Sequence, residues 1–290
     1  MKKEKPKIYS HSRLSTFEQC PYKFKLRYID KVKPEIEKTI ESHLGSAVHD
    51  TLEWLYKQVM SKRIPTLDEV INYYVVKWQD SYEQDTLIVK EYLSEKDYFN
   101  KGVQFLIDYY SKNHPFNEST LELEKKIILN LDGDNQYQIQ GFIDRLVYNP
   151  KTQEYEIHDY KTSNSLPTKE KIDSDRQLAL YAIAIKNLFG EDKEVKLVWH
   201  YLAHNLKIIS TRTNEQLAQL KQETLNQIKI VESTTEFQTQ KSILCNWCEY
   251  KSMCSCFGGK VNYEKKEEIE DYNSEEEICE ESKKEELDIW

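Results

Sequence analysis

The residues with the clearest chemical potential lie in the stretch EIHDYKTSN at 156–164, which otherwise has the composition of a β-strand. Side chains two positions apart on a strand share a face, so Asp159 and Lys161 point one way while His158 and Tyr160 point the other. On an exposed strand such an acid and lysine form only a solvated ion pair. Beside a second acid, they form part of a site that binds a metal ion and a phosphate.

A second acid is supplied by the preceding strand. That strand contains GFIDRL, and a turn at 149–151 folds Asp144 back alongside Asp159. Two neighbouring carboxylates repel each other, and a divalent cation relieves the repulsion, with oxygen ligands favouring Mg²⁺ or Mn²⁺. Such an ion polarises a phosphodiester oxygen and activates water, while Lys161 orients that water or stabilises developing negative charge. The sequence therefore predicts metal-dependent hydrolysis of a phosphodiester.

Three further residues have the types and spacing to join this site. Gln177 and Tyr181 lie one helical turn apart and present an amide and a phenol on one helix face. His49 follows Gly45 and Ala47, small residues that allow a helix to approach a sheet closely. A single histidine on a partly apolar helix is also common as a structural residue, so a ligand role and a structural role both stay open for His49.

Cysteine spacing indicates a second, sulfur-ligated site. CNWCEYKSMC places Cys245, Cys248 and Cys254 in a C-x₂-C-x₅-C pattern, which is one ligand short of a tetrahedral or cubane site. Cys20, in FEQCPYKF, is the obvious fourth ligand. Zinc could occupy the same sulfurs, and Cys256 could replace Cys254. Cys279 lies in the acidic C-terminal segment and is expected to be free.

The elements that position these residues follow from hydrophobic periodicity and turn signals. From residue 121 onwards, alternating apolar residues interrupted by DGDN and NPK predict a three-stranded antiparallel meander that ends in HDYKT. An α/β core with a mixed sheet flanked by helices is therefore expected. The other predicted elements are two short helices within 10–29, a helix at 42–60, a helical lobe at 66–113, a helix at 173–189, strands at 194–202 and 205–210, and a helix at 214–232.

Charge and composition narrow the class of protein. The 290 residues carry a net charge of −9, but residues 261–290 hold thirteen Asp or Glu against four Lys, so the rest of the chain is balanced. Residues 1–38 hold eleven Lys or Arg against five acids, which provides a basic surface for phosphates. Without a signal peptide or a long apolar run, a cytoplasmic protein with no membrane contact is expected. In that compartment metal ligation by the cysteines is favoured over disulfides.

The order of motifs GSAVH, GFIDR, HDYKT and RQLALYA resembles the PD-(D/E)XK nuclease superfamily, specifically its RecB-like branch, which includes the AddB nuclease domain and the CRISPR-associated Cas-four nucleases. The resemblance implies a restriction-endonuclease-like core. It also implies that His49, Asp144, Asp159 and the backbone carbonyl of Tyr160 bind the metal and that Lys161 is catalytic. Gln177 and Tyr181 match a helix that organises the active site and substrate. Glu124, in LELEKK, is the loosest match.

The segment S-x-L-x-x-F-x-x-C-P-x-x-F around Cys20 resembles the iron–sulfur segment of the same nucleases, which implies a [4Fe–4S] cluster on Cys20, Cys245, Cys248 and Cys254. The expected domain covers residues 1–260, with a helical insertion at 61–119. The resemblance implies a deoxyribonuclease that acts as an exonuclease on DNA ends or single strands in recombination, repair or CRISPR adaptation. A helicase or CRISPR adaptation proteins are the expected partners.

Two alternatives share these features. A DNA-binding module stabilised by the iron–sulfur cluster would keep the nuclease fold without catalysis. Such a module would not need the converging acids. A restriction-type endonuclease would need a sequence-reading element, and no such element is recognisable. The acidic segment 261–290 is expected to be a solvated, disordered tail, with mimicry of DNA in a basic groove as the alternative.

Overall fold

A computed structural model describes residues 5–34, 36 and 38–261 of the chain. The expectations for Cys279 and for the acidic tail beyond residue 261 lie outside these described residues. Within the part of the chain that the structure describes, no helix is both long and apolar enough to cross a membrane.

A six-stranded mixed sheet forms the centre of the fold. Its strands are β1 (Lys7–Tyr9), β2 (Thr120–Asn130), β3 (Tyr137–Asn149), β4 (Glu154–Lys161), β5 (Val195–Tyr201) and β6 (Leu206–Thr211). The order is β1-β3-β4-β5-β6, and β2 also pairs with β3. The β2–β3, β3–β4 and β5–β6 pairs are antiparallel, whereas β1–β3 and β4–β5 are parallel. The predicted α/β class and the antiparallel meander are therefore confirmed, and β1 is an additional strand that the sequence did not indicate.

Helices cover both faces of this sheet. They are α1 (His11–Gln19), α2 (Pro21–Phe24), α3 (Ile40–Met60), α4 (Leu67–Ser81), α5 (Glu95–Asn113), α6 (Lys169–Asp173), α7 (Gln177–Phe189) and α8 (Asn214–Ser233). The expected helix at 173–189 begins later, at Gln177. Its first turn is capped by Asp175, whose Oδ1 accepts the Leu178 N–H at 3.2 Å, and the preceding α6 ends at Asp173.

Two hydrophobic cores flank the sheet. One core joins the strands to α7 and α8 and includes Leu178, Trp199 and Ile228. The other core is formed by α3, α4 and α5. Because side chains alternate along β4, Ile157 belongs to the first core and Tyr160 to the second. This strand therefore connects the two halves of the molecule, and its last residues carry the predicted site.

Candidate active site

The two predicted acids meet where strands β3 and β4 separate. Their antiparallel ladder ends at the pair Arg145–His158, and the next positions along the two strands are Asp144 and Asp159. The backbone N–H of Tyr160 donates to Asp144 Oδ2 at 3.0 Å. Burial, together with the charges of Asp159 and Glu124, raises the pKa of Asp144 well above its usual range. The expected repulsion between neighbouring carboxylates is therefore present at this point.

A third carboxylate belongs to the same group. Glu124 and Asp144 stand between the paired residues Leu123–Arg145 and Lys125–Ile143 of β2 and β3. Single ligand atoms of His49, Glu124 and Asp144 lie within 4.8 Å of one another. Glu124, the loosest sequence match, is thus placed at the centre of the acidic group.

The backbone at Glu124 explains how its carboxylate reaches this position. Its φ is +47°, in the left-handed region that residues with a Cβ seldom adopt. Leu123 packs with the helices of the second core, whereas Ile127 and Leu129, an even number of positions further along, lie in the first core. Side chains on a regular strand would keep one face over that spacing. The face of β2 that packs inward therefore switches from the second core to the first at Glu124.

His49 faces the acids from helix α3. Its Nε2 lies 2.6 Å from the carbonyl oxygen of Tyr160, and its Nδ1 lies 3.4 Å from Asp144 Oδ2. Burial lowers the pKa of His49, so the ring is neutral at pH 7. Since a carbonyl can only accept, Nε2 carries the proton, and the lone pair of Nδ1 is directed towards the carboxylate. This arrangement favours a cation between His49 and Asp144.

Lys161 is held between an acid and an amide. Its Nζ lies 3.1 Å from Asp159 Oδ1 and 3.1 Å from Gln177 Oε1, which confirms that Asp159 and Lys161 share a face. Asp159 Oδ2 and Gln177 Nε2 are buried and have no hydrogen-bond partner within the described residues. A buried carboxylate oxygen without a partner is costly, so it too fits a site built for a cation.

Tyr181 occupies a different environment from Lys161. It is 1% exposed and lies on Gly141 of β3, where a Cβ would come within 2.4 Å of the tyrosine ring and hydroxyl. Only glycine permits this close approach at residue 141. The structure thus places Gln177 beside Lys161 and Tyr181 one turn further along α7, against the sheet.

A cleft of about 670 Å³ leads to the lysine. Lys161 and Gln177 line its wall on the sheet side, α1 contributes residues from His11 to Gln19, and the segment from Ser165 to Gln177 forms another wall. Its volume is in the range of ordinary ligand sites. The sequence did not indicate His11, Asp175 or Arg176 as lining residues, because their proximity depends on how α1 packs against the start of α7.

Residues 8–255 match the family model of the PD-(D/E)XK nuclease superfamily. This chain belongs to the PD-(D/E)XK nuclease superfamily. No curated protein matches the sequence.

A comparison with solved structures matches this PD-(D/E)XK chain to two further proteins. The protein SSO0001 is 14% identical, with a TM-score of 0.40, and the alignment covers 90% of each chain. A candidate exonuclease from Eubacterium rectale is 13% identical, with a TM-score of 0.46, and the alignment covers 84% of this chain and 85% of that one.

The cysteines of this PD-(D/E)XK chain surround a cavity of about 50 Å³, far along the sequence from the acids. It is lined by Cys20, Cys245, Cys248, Cys254 and Cys256. Burial, followed by the charge of Glu249, raises the pKa of the Cys248 thiol to about 11, and Cys20 also contributes. The Cys256 thiol lies 2.9 Å from Thr239 Oγ1. The structure thus places Cys20 in the lining of the same cavity as the C-terminal cysteines.

The cysteine segment is also tied to the N-terminus by polar contacts. Glu249 binds Lys23 at 2.8 Å and Arg27 at 3.1 Å, and the Tyr250 hydroxyl donates to the Val32 carbonyl at 3.0 Å. Among the residues that the structure describes, no three cysteine sulfurs lie within 4.8 Å of one another. A single zinc ion with bonds of about 2.3 Å would hold its sulfurs closer than that.

Proposed function

We propose that the protein is a metal-dependent deoxyribonuclease of the RecB-like type, which hydrolyses phosphodiester bonds as an exonuclease on DNA ends or single strands. The observation that carries this proposal is the convergence of His49, Glu124 and Asp144 on one point, next to Asp159 and Lys161. Membership of a nuclease superfamily supports the same reaction class.

The residues present fit a divalent cation, and Mg²⁺ or Mn²⁺ is the ion that carboxylate-rich sites favour. His49, Glu124, Asp144 and Asp159 would hold it, with the Tyr160 carbonyl beside them. When bound, the ion would polarise the phosphoryl oxygen and lower the pKa of water. Lys161, fixed by Asp159 and Gln177, would place an ammonium group where negative charge develops.

Substitution of the lysine tests this assignment. With end-labelled single- and double-stranded DNA in Mg²⁺ or Mn²⁺, Lys161→Ala should lower the cleavage rate by about 10²–10³-fold, the usual effect of removing a charge-stabilising donor. Lys196→Ala is the matched control. Lys196 lies on β5 and forms an ion pair with Glu154, which is at the opposite end of β4 from Lys161. A Lys161→Ala variant that cleaves as fast as the parent in saturating metal would overturn the site assignment. An RNA strand of the same sequence tests the preference for DNA.

We also propose that Cys20, Cys245, Cys248 and Cys254 hold a [4Fe–4S] cluster. The shared cavity supports this proposal, because it brings Cys20 together with the three cysteines of the C-x₂-C-x₅-C pattern. Anaerobically purified protein should contain iron and acid-labile sulfide in equal amounts, about four of each per chain. Cys20→Ala should lose both, whereas Cys256→Ala should keep them. Zinc without sulfide would identify the alternative occupant.

Domain organisation and cellular setting complete the proposal. Residues 1–260 would form one nuclease domain with 61–119 as a helical insertion, working in the cytoplasm in recombination, repair or CRISPR adaptation. A helicase or CRISPR adaptation proteins would deliver the DNA end. Recovery of such a partner with tagged protein in the presence of nuclease-resistant DNA would test the setting independently of the chemistry.

A further inference from the structure

Arg176 lines the cleft beside Lys161 and does not belong to the candidate metal site. Its guanidinium forms a two-pronged contact with Glu18 of α1, from Nη1 to Oε1 at 2.8 Å and from Nη2 to Oε2 at 3.0 Å. Two weaker contacts, each at 3.5 Å, lead to His11 Nδ1 and Ser15 Oγ. This fork of donors binds a phosphate with the same geometry as a carboxylate.

We infer that Arg176 binds a backbone phosphate of the nucleic-acid strand next to the phosphate that is cleaved, and that Glu18 occupies the arginine until the strand displaces it. This inference rests on the proposed nuclease function. The position of Arg176 carries it, because the next residue, Gln177, contacts Lys161 at 3.1 Å, and all three residues line the same cleft.

The two partners differ in how firmly the fold holds them. The side chain of Arg176 is 16% exposed and is fixed by contacts to α1, whereas that of Glu18 is 42% exposed at the cleft surface. Because Glu18 keeps its contact with solvent, its release costs less than the release of a buried carboxylate, and a phosphate can take its place beside the arginine. Arg176 is thus already positioned to bind an anion, and Glu18 is the partner that an anion can displace.

The neighbouring His11 is neutral, so it does not repel the guanidinium of Arg176. Burial lowers the pKa of His11 to about 3, and the cations Arg176 and Lys161 add to the effect. The neutral ring accepts the Arg176 Nε–H at Nδ1, while its Nε2 lies 3.3 Å from Ser15 Oγ. His11 therefore orients the guanidinium without adding a competing charge.

Two further cations that line the cleft, Lys23 and Arg27, are less available than Arg176. Lys23 and Arg27 share Glu249, whose side chain is only 16% exposed. Burial alone would raise the pKa of Glu249, but the two cations outweigh it and hold the pKa below its usual range. A carboxylate bound by two cations and largely buried is harder to displace than Glu18, so a strand can recruit Arg176 more easily than Lys23 or Arg27.

Binding of a fluorescently labelled single-stranded oligothymidylate to the full chain in EDTA tests the inference without cleavage. Glu18→Gln should lower the Kd about three- to tenfold at low salt, because the competing carboxylate is gone. Arg176→Gln should raise the Kd about tenfold and reduce the slope of log Kd against log salt by about 1, the signature of one lost phosphate contact. The double variant should bind like Arg176→Gln.

Glu223→Gln is the matched control, since Glu223 lines the same cleft from α8 and contacts Gln219 rather than a cation. If the cleft acted only through its total charge, Glu18→Gln and Glu223→Gln would strengthen binding equally, and the inference would fail. If the Arg176–Glu18 pair only ties α1 to α7, Glu18→Gln would leave the Kd unchanged or raise it, which also refutes the inference. Because Glu18 is exposed, this variant should fold like the parent, as thermal melting will show.

The outcome for the parent protein separates this inference from the proposed function. A parent that cleaves DNA with metal, combined with Glu18→Gln indistinguishable from the parent in EDTA, refutes the role of Arg176 and Glu18 alone. A parent that neither binds the oligonucleotide nor cleaves DNA refutes both.

Discussion

Glu124 shows a conflict between backbone preference and site chemistry at the scale of one residue. A φ of +47° costs a residue with a Cβ about 1–2 kcal/mol relative to a right-handed conformation. The same conformation turns the carboxylate towards His49 and Asp144, where three ligand atoms gather. Strain of this kind persists only where the surrounding structure enforces it, and here it lies within the candidate metal site.

Replacement of Glu124 by asparagine should separate stability from function. Asparagine tolerates the left-handed region, so Glu124→Asn should raise the free energy of unfolding by about 1 kcal/mol in urea denaturation without metal. Metal-dependent cleavage should fall at least about tenfold, since the variant loses a ligand charge.

Gln153→Asn provides the control for that experiment. Gln153 also has a positive φ, 61°, but it is exposed in the turn between β3 and β4. This variant should gain stability and keep full activity. Equal loss of activity in both variants would show that the loss at residue 124 does not arise from the missing carboxylate.

At the scale of one element, β4 has a different role on each face. Asp159 and Lys161 face the cleft, while Tyr160 points into the helical core, where its hydroxyl lies 3.3 Å from that of Tyr109. Tyr109 lies 2.7 Å from the hydroxyl of Tyr56 on α3. The backbone of Tyr160 meanwhile contacts both His49 and Asp144. Helices α3 and α5 therefore fix the part of β4 that organises the acids.

Helix α7 depends on a glycine of the sheet for its position. A Cβ at Gly141 would lie 2.4 Å from the Tyr181 ring, so Gly141→Ala should reduce the free energy of unfolding by about 1–3 kcal/mol, as overpacked cores do. The displaced helix carries Gln177, so cleavage should also slow. Gly133→Ala is the control, because a Cβ there has no atom within 4 Å, and it should change stability by less than about 0.5 kcal/mol. Equal stability of the two variants would contradict the packing described for Tyr181.

Elements with a repeating pattern could be predicted from the sequence, and those set by distant contacts could not. The turn signals near Gly133 and Pro150 predicted the meander, and the spacing of Asp159 and Lys161 predicted that their side chains share a face. Strand β1 has only three residues and pairs in parallel with distant β3, so no local pattern reveals it. The break before α7 arises from side-chain capping by Asp175, which periodicity does not detect.

The candidate site was predictable to the extent that motifs identify residue types. His49, Asp144, Asp159, Lys161 and Gln177 come together in the structure. The central place of Glu124 depends on its left-handed backbone, and the pairing of Arg176 with Glu18 depends on the packing of α1. Both require knowledge of the folded chain.

At the scale of the whole molecule, five histidines with a lowered pKa should make stability depend on pH. Burial lowers the pKa of all five, together with nearby cations where these are present. They are His11, His43, His49, His158 and His200. Below about pH 6.5 the unfolded chain therefore binds more protons than the folded one, and the free energy of unfolding falls as the pH drops. Asp144 and Asp175 act in the opposite direction, because burial raises their pKa, that of Asp175 to about 6, and makes the folded state bind protons there, but together they offset only two histidines.

Urea denaturation between pH 7.5 and about 5.5 measures this effect. Each histidine that becomes protonated on unfolding contributes up to about 1.4 kcal/mol per pH unit. His200→Gln should show a shallower slope by up to one proton, since His200 packs against His158 with their ring nitrogens 2.8 Å apart. A parent whose stability is constant over this range would show that these histidines titrate alike in the folded and unfolded chains.

The contact between the C-terminal cysteine segment and the N-terminal helices has a consequence for synthesis on the ribosome. Translation delivers the acids and Lys161 well before Cys245, yet Glu249 and Tyr250 hold Lys23, Arg27 and Val32, in the segment that follows helix α1 and its wall of the cleft. Growing chains thus possess the reactive groups before the cleft wall is secured. The cleft wall, and with it the proposed nuclease activity, should therefore be secured only after residues 245–254 have been made.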